Sequence, residues 1–336
     1  MSKILVTGVC GHIGSHLAKM LVSQGEEVVG IDNLSCGFME NINLIKDIHS
    51  DRFSFIDCDI RDDITELQKN EHIKNIDIIF HLAARGETYY CRNNPIEAVD
   101  NNINGTINML HLGDELKIKH FFFADTSAEY DSLENISHYP SIEEFAPNNI
   151  TPMGVYAITK MAASQFVRSY GKRFGFGSTL FRYTNVYGPS MNLERDIPPV
   201  IGAFADRLFN GKSPIIYGDG GKQRDFIHIN DLTMLHNYAI NRRFEELDTK
   251  TYNAGSGEKY SIFEIYRLVW EACYRNKQDI PPLKSVEYKL DQPNEAQITQ
   301  ADISLASFDF GWRPYIDIKM GIDMTVDELY KRTIKG

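Results

Sequence analysis

The sequence is poor in cysteine and has no long apolar run, and both absences exclude classes of protein. Its five cysteines are scattered, and no two of them stand at CxxC spacing. An odd, scattered set argues against a disulfide framework or a zinc site and is typical of a reducing compartment. No apolar stretch is long enough to cross a bilayer, and the N-terminal residues lack the layout of a signal peptide. We therefore expect a cytoplasmic protein with no bound metal and no membrane partner.

An excess of positive charge is also missing. The chain has 35 lysines and arginines against 46 aspartates and glutamates, which gives a formal net charge of -11. A nucleic-acid partner needs a basic face that displaces counterions from phosphates, so this charge argues against such a partner. It does not exclude an anionic small molecule, because a few local arginines are enough to bind one.

The apolar residues that are present follow the pattern of a layered α/β protein. The chain has 336 residues, 43% of them hydrophobic, which suits one large domain and a smaller one. In its first half, short apolar runs alternate with stretches of helical spacing. The runs are Lys3–Val6, Glu27–Ile31, Phe53–Ile56, Ile76–Phe80, His120–Ala124 and Gly177–Phe181. This alternation predicts a Rossmann-type, doubly wound parallel sheet with helices on both faces.

The texture changes in the second half of the chain. Proline and glycine become frequent after about Asn185, which is typical of a smaller, loop-rich unit. We predict a Rossmann domain over 1–185, to which 225–250 return, and a smaller C-terminal α/β substrate domain over 186–224 and 251–336. Two long amphipathic helices are predicted, one over about 95–116 and one over about 153–174.

A glycine-rich turn follows the first apolar run. It reads TGVCGHIG over residues 7–14, directly after a predicted strand and before a predicted helix. Gly8 permits the tight turn, Gly11 lets a pyrophosphate approach the backbone, and Gly14 lets the helix pack closely on the strand. The free N–H groups of the helix N-terminus favour a negative charge. The motif predicts a dinucleotide site.

The second apolar run ends in an acid, Asp32, 18 residues after Gly14. A carboxylate at this position accepts hydrogen bonds from the adenosine ribose hydroxyls and repels a 2′-phosphate. The sequence therefore favours NAD over NADP as the cofactor. An ordinary glycine turn is the alternative, and the combination of strand, turn, helix and acid argues against it.

Tyr156 and Lys160 are four residues apart on a predicted helix, so their side chains share one face. Tyrosine is a poor base at neutral pH because its pKa is ~10. A lysine ammonium one turn away favours the phenolate, and so does the positive nicotinamide ring of NAD⁺. A surface helix pair is the ordinary explanation of this spacing. With the glycine motif upstream, we predict a catalytic pair instead.

These residues and several further motifs resemble the extended short-chain dehydrogenase/reductase family. The similarity is greatest to its nucleotide-sugar epimerases, such as UDP-glucose 4-epimerase, and it covers nearly the whole chain. The further motifs are HLAA at 81–84, NNINGT at 101–106, YAITK at 156–160, RYTNVYGP at 182–189 and YGDGGKQRDFIHINDL at 217–232. Their number and order are highly specific for the family and less specific for the substrate.

The resemblance implies roles for individual residues in binding the cofactor. Asp59 and Ile60 are expected at the adenine, and Tyr183 near the nicotinamide. The full implied set of NAD contacts is Gly8, Gly11, His12, Ile13, Gly14, Asp32, Asn33, Asp59, Ile60, Leu82, Ala83, Ala84, Asn102, Tyr156, Lys160 and Tyr183.

The resemblance also implies catalytic and substrate-binding residues. Thr126, Tyr156 and Lys160 are expected to be catalytic, with Thr126 hydrogen-bonded to Tyr156 and to the reacting sugar hydroxyl. The implied substrate contacts are Thr126, Asn185, Tyr217 and Arg224. Independently of the family, an arginine after a glycine-rich loop is a good bidentate phosphate clamp. A surface ion pair of this arginine with Asp225 or Asp219 is the alternative.

The chain departs from the family pattern around the catalytic threonine. The family usually has Ser at 125, an apolar residue at 129 and Gly at 131, where this chain has Asp125, Glu129 and Asp131. The added carboxylates either reshape the sugar pocket or are solvated.

Two further departures bear on the substrate. The family's 4,6-dehydratases carry an Asp-Glu pair directly after the threonine, and this chain has Ser127 and Ala128 there, which argues against dehydration. Gln292 stands where the family usually has an arginine that clamps the diphosphate. Another basic residue such as Arg195 is expected to replace it, or the substrate is atypical.

The leading hypothesis is NAD-dependent epimerisation of a nucleotide sugar, at C4 through a transient 4-keto sugar. The alternatives are a net C4 oxidoreductase, dehydratase or decarboxylase of a nucleotide sugar, and a regulator that senses NAD without catalysis. In dimers of the family the two long helices form a four-helix bundle, so the resemblance implies a homodimer. The nucleotide, the sugar and the stereocentre stay open, and residues 86–92 and 190–196 are expected to decide them.

Overall fold

A parallel β-sheet forms the centre of the protein. The computed structural model describes residues 2–49, 51–131, 141–143, 154–242, 249–291 and 296–334. Within these residues the sheet has seven strands. They are β1 (Lys3–Thr7), β2 (Glu27–Asp32), β3 (Phe53–Asp57), β4 (Ile78–His81), β5 (His120–Thr126), β6 (Gly177–Tyr183) and the strand Thr249–Ala254.

The strand order is that of a doubly wound sheet. Across the sheet it runs Thr249–Ala254, β6, β5, β4, β1, β2, β3, and every neighbouring pair is parallel. The chain therefore moves outward from β1 in one direction and from β4 in the other. The predicted fold class is confirmed. In such sheets a crevice opens at the carboxyl ends of the strands where the order reverses, here between β1 and β4.

Helices cover both faces of the sheet and build the C-terminal part. The α-helices are His12–Ser23, Met39–His49, Ile64–Gln68, Thr88–Asn93, Pro95–Val99, Gly105–Leu116, Val155–Phe174, Val200–Phe209, Ile229–Asn241, Ile262–Asn276, Ser304–Phe310 and Ile318–Thr333. Short 3₁₀ turns occupy Glu71–Ile73 and Ser127–Tyr130. Among the described residues, no helix combines the length and apolarity that a membrane span requires.

Local sequence explains where the long helices begin and end. Pro95 occupies the first turn of its helix, where a missing N–H costs nothing. A π-helical turn, Asp100–Asn104, joins this helix to Gly105–Leu116, so the helix predicted over 95–116 is continuous but carries an irregular turn. The helix Val155–Phe174 ends at Gly175, which has a left-handed backbone with φ of +80°. Its predicted start at 153 lies outside the described residues.

Alternate residues of the central strands feed two hydrophobic cores. Phe122 faces the helices His12–Ser23 and Ile229–Asn241. Phe121 and Phe123 face the opposite side. That side is covered by the helices Gly105–Leu116 and Val155–Phe174. Because both faces are buried, the strands read as nearly continuous apolar runs.

A third core lies in the C-terminal part. It is built from the helices Val200–Phe209, Ile262–Asn276 and Ile318–Thr333, which pack on one another. Three short strand pairs surround this core, namely Asn185–Tyr187 with Phe226–His228, Gln223–Arg224 with Tyr260–Ser261, and Ile215–Tyr217 with Glu287–Lys289.

Candidate active site

A cavity of about 610 Å³ opens at the carboxyl ends of the central strands. Gly11, Asp32 and Thr126 line it from the loops and strand ends of the sheet, and Tyr156 lines it from the helix Val155–Phe174. Asn185 adds a lining residue from the chain beyond β6. The cavity thus brings together side chains that are far apart in the sequence, at the position where the sheet topology places a ligand.

The glycine turn after β1 has no room for side chains. Gly8 has φ of +69°, and a Cβ on it would lie 2.9 Å from the backbone of Ala83. A Cβ on Gly14 would lie 2.2 Å from the carbonyl oxygen of Gly8. Gly11 donates its N–H to the same oxygen at 3.1 Å, which closes the turn. The turn therefore exposes backbone rather than side chains at the N-terminus of the helix His12–Ser23.

We expect Gly14→Ala to raise the dissociation constant for NAD by about 10- to 100-fold, because the new methyl group must push the helix away from the turn at a cost of about 1–3 kcal/mol. Titration calorimetry with NAD checks this. Lys19→Ala, at an exposed position of the same helix, is the matched control and should leave the affinity unchanged. Wild-type affinity in Gly14→Ala would show that the helix is not part of the cofactor site.

Asp32 is fixed at the end of β2 by backbone donors. One carboxylate oxygen accepts from the N–H of Cys10 at 2.9 Å and the other from the N–H of Leu34 at 2.8 Å. Burial raises the pKa of Asp32 above its ordinary value, and these two hydrogen bonds oppose that rise. Each oxygen keeps a second lone pair, so the carboxylate can still accept from ribose hydroxyls.

The predicted adenine side is organised by a small polar cluster. Asn33 donates to the Asp59 carboxylate at 2.7 Å, and Arg61 forms an ion pair with it at 2.6 Å. Arg61 holds the pKa of Asp59 well below its usual range. Asp59 itself does not line the cavity, whereas its neighbours Cys58 and Ile60 do. In this structure Asp59 therefore shapes the loop that carries the lining residues.

The segment after β4 is held by two residues that the sequence pattern did not single out. Thr7 accepts hydrogen bonds through Oγ1 from the N–H groups of Leu82 and Ala83, at 3.1 and 3.0 Å. The buried ring of His81 lies 2.8 Å from the same Oγ1. Leu82, Ala83 and the next residue, Ala84, all line the cavity. The threonine directly before the first glycine of the turn is the sequence signal that could have revealed these hydrogen bonds.

Asn102 is fully buried on the π-helical turn and does not line the cavity. Its amide accepts from the N–H of Arg85 at 2.8 Å and donates to the Arg85 carbonyl at 3.1 Å and to Thr159 at 2.9 Å. The side chain ties the loop after β4 to the helix that carries Tyr156. The resemblance implied Asn102 as an NAD contact, whereas in the structure it supports the loop and the helix next to the cavity.

The residues present fit a dinucleotide. The Cβ-free turn leaves space for a pyrophosphate at the N-terminus of a 12-residue helix, where negative charge is favoured. His12 and Ile13 line the cavity at this point. Among the described residues, the buried Nε2 atom of His12 has no hydrogen-bond partner. Asp32 at the end of β2 completes the set of features that NAD requires.

Thr126 and Tyr156 are in contact. Thr126 is the last residue of β5, and Tyr156 lies in the first turn of the helix Val155–Phe174. A hydrogen bond between their side chains favours the phenolate. Burial outweighs it and raises the pKa of Tyr156, and the nearby acids Asp125 and Glu129 add to the rise. The predicted lowering of this pKa by Lys160 is therefore not seen in the protein alone.

Lys160 is buried one turn below Tyr156. Its ammonium lies 4.0 Å from the centre of the Phe123 ring on β5. Burial lowers the pKa of Lys160 to about 8, while Asp125 and Glu129 act in the opposite direction. The lysine is thus predominantly charged at neutral pH but close to titration.

Tyr183 lines the cavity, but its hydroxyl is committed elsewhere. It lies 2.7 Å from Nε2 of His236, whose other ring nitrogen lies 2.7 Å from the carbonyl of Leu232. Burial lowers the pKa of His236 to about 4, so the ring is neutral. A neutral ring that donates to the Leu232 carbonyl accepts through Nε2 from the Tyr183 hydroxyl. The ring of Tyr183 therefore lines the cavity, but its hydroxyl is bonded to His236 and does not act as a base.

The unusual acids at 125 and 129 are not solvated, and of the two only Asp125 belongs to the cavity lining. Arg182 on β6 meets both of them, with N–O distances of 3.2 Å to Asp125 and 2.8 Å to Glu129. All three side chains are at most 1% exposed. Arg182 also donates to the Tyr130 hydroxyl at 3.2 Å and to the Glu143 carbonyl at 2.6 Å.

Two acids in this cluster face one guanidinium. Burial raises the pKa of Glu129 well above its ordinary value, and Asp125 raises it further. This rise favours a proton on Glu129, which lessens the repulsion between the two carboxyl groups. Arg182, a charged residue within a buried strand, is the sequence signal for this partnership. Asp131, the third added carboxylate, also lines the cavity.

The predicted substrate residues are only partly brought together. Asn185 and Arg224 line the cavity, whereas Tyr217 does not. Arg224 donates to the carbonyl of Gln223 at 2.9 Å. Asp225 is fully buried, where it accepts from N–H groups that include those of Ser256 and Gly257. Asp225 therefore stabilises the protein interior through these hydrogen bonds. The Gln292 position lies outside the described residues.

The two segments expected to decide specificity meet at the cavity mouth. Arg195 forms an ion pair with Glu87 at 3.3 Å. Asn192 donates to the Cys36 carbonyl at 2.9 Å, which ties the same segment to the loop after β2. Arg195 lines the cavity, so it is positioned to meet an anionic ligand.

Comparison with known proteins agrees with this geometry. The model of the NAD dependent epimerase/dehydratase family matches residues 4–255. A putative UDP-glucose 4-epimerase of Methanocaldococcus jannaschii is 29% identical over 325 residues, which are 96% of this chain and 97% of that protein. UDP-glucuronic acid decarboxylase 1 of Arabidopsis thaliana is 28% identical over 99% of this chain and 71% of that protein.

The fold agrees as well. The structure of Thermus thermophilus UDP-glucose 4-epimerase in complex with NAD superposes with a TM-score of 0.83 at 27% identity, and the match covers 98% of this chain and 99% of that one. The family model spans well over half of the residues, so sequence similarity and structural similarity assign the protein to the same family. The chain belongs to the NAD dependent epimerase/dehydratase family.

Proposed function

We propose that this protein is an NAD-dependent nucleotide-sugar epimerase that inverts C4 of a sugar carried on a nucleoside diphosphate. One observation carries the proposal. Thr126, Tyr156 and the buried Lys160 line the same cavity as the dinucleotide turn. A base and a cofactor cradle that share one cavity support oxidation and re-reduction of a substrate hydroxyl.

The proposed roles follow from the positions of the side chains. Tyr156 removes the proton from the sugar 4-hydroxyl. Thr126 orients this sugar hydroxyl and the hydroxyl of Tyr156. Lys160 supplies a positive charge that favours the phenolate. NAD, when bound, would supply the hydride acceptor and donor that C4 requires. The resulting 4-keto sugar must present its other face before it is reduced, and the cavity of about 610 Å³ leaves space for this turn.

We further propose uridine diphosphate as the nucleotide, because the named relatives act on UDP sugars. Arg224 and Arg195 supply cationic side chains at the cavity for its diphosphate. Asn185 is proposed as a neighbouring hydrogen-bond partner. Tyr217 stays a prediction, because the cavity as it stands does not include it.

Decarboxylation of a sugar acid is the second candidate, favoured by the relationship to the Arabidopsis decarboxylase. It shares the oxidation at C4 and differs in the fate of the keto sugar. Dehydration is disfavoured because Ser127 and Ala128, which line the cavity after Thr126, offer no acid. A non-catalytic NAD sensor is disfavoured because it has no need of the Thr126, Tyr156 and Lys160 constellation.

Proton NMR of the anomeric region tests the proposal. The protein with NAD is incubated in turn with UDP-, GDP- and TDP-hexoses and with UDP-glucuronic acid. Epimerase activity gives a mixture of two epimers without accumulation of NADH. Consumption of the sugar with stoichiometric NADH, or release of carbon dioxide from the uronic acid, would replace the proposal with an oxidoreductase or a decarboxylase.

We also propose a homodimer, a two-part chain and a cytoplasmic location. Ile96 and Ile158, on the two helices expected at the twofold axis, are 78% and 50% exposed, which is unusual for large apolar side chains. The domain division at about 185 stays a proposal, supported by the separate C-terminal core. The five free cysteines support a reducing compartment.

Ile158→Glu is expected to convert the dimer to a monomer, because the charge would be buried without a partner at the twofold interface. Analytical ultracentrifugation measures the mass. Phe308→Glu is the matched control, since Phe308 is 86% exposed on another helix and should leave the mass unchanged. An unchanged mass in Ile158→Glu, or a wild type that is already monomeric, would contradict the proposed interface.

A further inference from the structure

We propose that Asn192 is a positioning residue for the cofactor, and that the hydrogen bond from its amide to the Cys36 carbonyl holds the cavity closed over bound NAD. The inference rests on the proposed function, a redox-neutral cycle in which NAD has no need to leave between turnovers. It gives a second role to the segment 190–196, which the sequence marks for substrate specificity.

Two walls of the cavity come from distant parts of the chain. One wall is the loop after β2, residues 33–38, which includes Cys36. The other is the segment 190–196, which includes Asn192. The glycine turn and Asp32 line the same cavity. Both walls therefore border the space in which a dinucleotide is expected.

The loop after β2 is built onto the cofactor cradle. The Cys10 peptide of the glycine turn donates its N–H to the Asp32 carboxylate at 2.9 Å. Its carbonyl oxygen accepts from the N–H of Phe38 at 3.1 Å and from the amide of Asn41 at 2.8 Å. A Cβ on Gly37 would lie 2.5 Å from the Cβ of Cys10, so the loop backbone packs directly on the turn. A shift of this loop therefore disturbs the cofactor cradle.

The segment 190–196 is anchored on the opposite side, in the C-terminal core. Met191 is buried in that core, and the partly buried Leu193 packs against it. The hydroxyl of Ser190 accepts from Arg332 of the last helix at 3.0 Å. Asn192 lies between the two apolar side chains and instead donates to the loop after β2. The wall that carries Asn192 is thus firmly held.

The two walls meet at Cys36. The Asn192 amide donates to the Cys36 carbonyl at 2.9 Å. The Cys36 thiol contacts the guanidinium of Arg85 and lies 3.9 Å from the carboxylate of Glu87. Glu87 in turn forms the ion pair with Arg195 at 3.3 Å. A hydrogen bond and an ion pair therefore join the same two walls at one place.

A bound dinucleotide can leave between these walls only when they separate. The hydrogen bond from Asn192 must then break, and a single hydrogen bond changes an equilibrium by about fivefold. Asn192 acts through the loop after β2, because that loop is bonded to the glycine turn. Its loss should therefore speed the release of NAD.

The test measures the exchange of labelled NAD. Protein loaded with ¹⁴C-labelled NAD is mixed with an excess of unlabelled NAD, and the label that stays with the protein is followed over time. In Asn192→Ala and Asn192→Asp we expect release to be about fivefold faster than in the wild type. Asn192→Asp is nearly isosteric and keeps the oxygen that accepts from the Glu194 N–H at 2.8 Å, so it removes only the donor.

Asn210→Ala is the matched control. The Asn210 amide donates to the Asp206 carbonyl at 2.9 Å, at an exposed position outside the cavity lining. Its removal should leave the release rate unchanged. Stoichiometric loading with NAD at the start shows that each variant is folded. Wild-type release from both Asn192 variants would overturn the inference, and so would faster release from Asn192→Asp alone, which would report repulsion of the NAD phosphates by the new charge.

Activity supplies the second readout. After dilution into buffer without NAD, the activity of the Asn192 variants should decay about fivefold faster than that of the wild type and return when NAD is added. A merely structural role of Asn192 would lower activity in a way that added NAD does not restore.

The exchange experiment separates this inference from the proposed function, because it needs no sugar and no turnover. A protein that binds NAD without epimerase activity would contradict the proposed function, and its exchange rates would still decide the role of Asn192. A protein that does not bind NAD would contradict both.

Discussion

Tyr156→Phe should lower kcat by about a thousandfold and leave the affinity for NAD within about a factor of ten. General-base catalysis contributes about 10²–10⁴ to rate, and phenylalanine keeps the ring while removing the group that carries the proton. Burial raises the pKa of Tyr156 and the Thr126 hydrogen bond opposes it, so the proton that Tyr156 accepts is strongly held once transferred. Initial rates and a separate NAD titration measure the two effects.

Tyr170→Phe is the matched control for this change. Tyr170 is on the same helix, about four turns away, with its ring packed against His111 and Phe174. The same chemical deletion there should leave kcat unchanged. If Tyr156→Phe retained near wild-type turnover, the base would be wrongly assigned, and the reaction would need another proton acceptor at the cavity.

Arg182→Met should lower the free energy of unfolding by about 3–5 kcal/mol. Removal of one partner from a buried ion pair leaves an uncompensated charge, which is costly in a low-dielectric interior. Asp125 and Glu129 are fully buried, so water cannot take the place of the guanidinium. Methionine fills a similar volume, so the loss reports charge more than packing. Denaturant midpoints for the wild type and the variant measure it.

The sign of the pH dependence gives this prediction a further check. Arg182 opposes the rise that burial causes in the pKa of Glu129, so without Arg182 this pKa rises further above its value in the unfolded protein. An acid whose pKa is raised on folding contributes less to stability as the pH rises. The loss in free energy of unfolding caused by Arg182→Met should therefore be larger at pH 8 than at pH 5.

Arg275→Met is the matched control for Arg182→Met. Arg275 pairs with Asp323 at a half-exposed site, where side-chain exposures are 50% and 37%. The loss of such a pair should cost less than about 1 kcal/mol. A similar small loss in Arg182→Met would show that the buried cluster does not depend on its guanidinium.

Local patterns in the sequence were sufficient for the fold and the cofactor cradle. Strand, glycine turn, helix and acid are contiguous over Lys3–Asp32, and each part has a local physical reason to be there. The Tyr156 and Lys160 spacing predicted a shared helix face, and in the structure both line the cavity, Lys160 buried and Tyr156 half-buried. These features depend on residues close together in the chain, which is why periodicity and spacing reveal them.

Features set by strand register and burial could not be predicted in this way. Asp125 and Arg182 are 57 residues apart and meet only because β5 and β6 pair in that register. The rise in the pKa of Tyr156 depends on how deeply the helix buries it, which spacing does not specify. The absence of Tyr217 from the cavity lining depends on how the C-terminal part sits over the sheet.

The central claim is that C4 of the sugar is oxidised and reduced again within one closed cycle. The most direct test uses a nucleotide sugar deuterated at C4, incubated with the NAD-loaded protein in ordinary water. We expect the deuterium to remain at C4 in both epimers at equilibrium, with no label in free NADH. Loss of the deuterium to free NADH, or its replacement by hydrogen from water, would contradict the account.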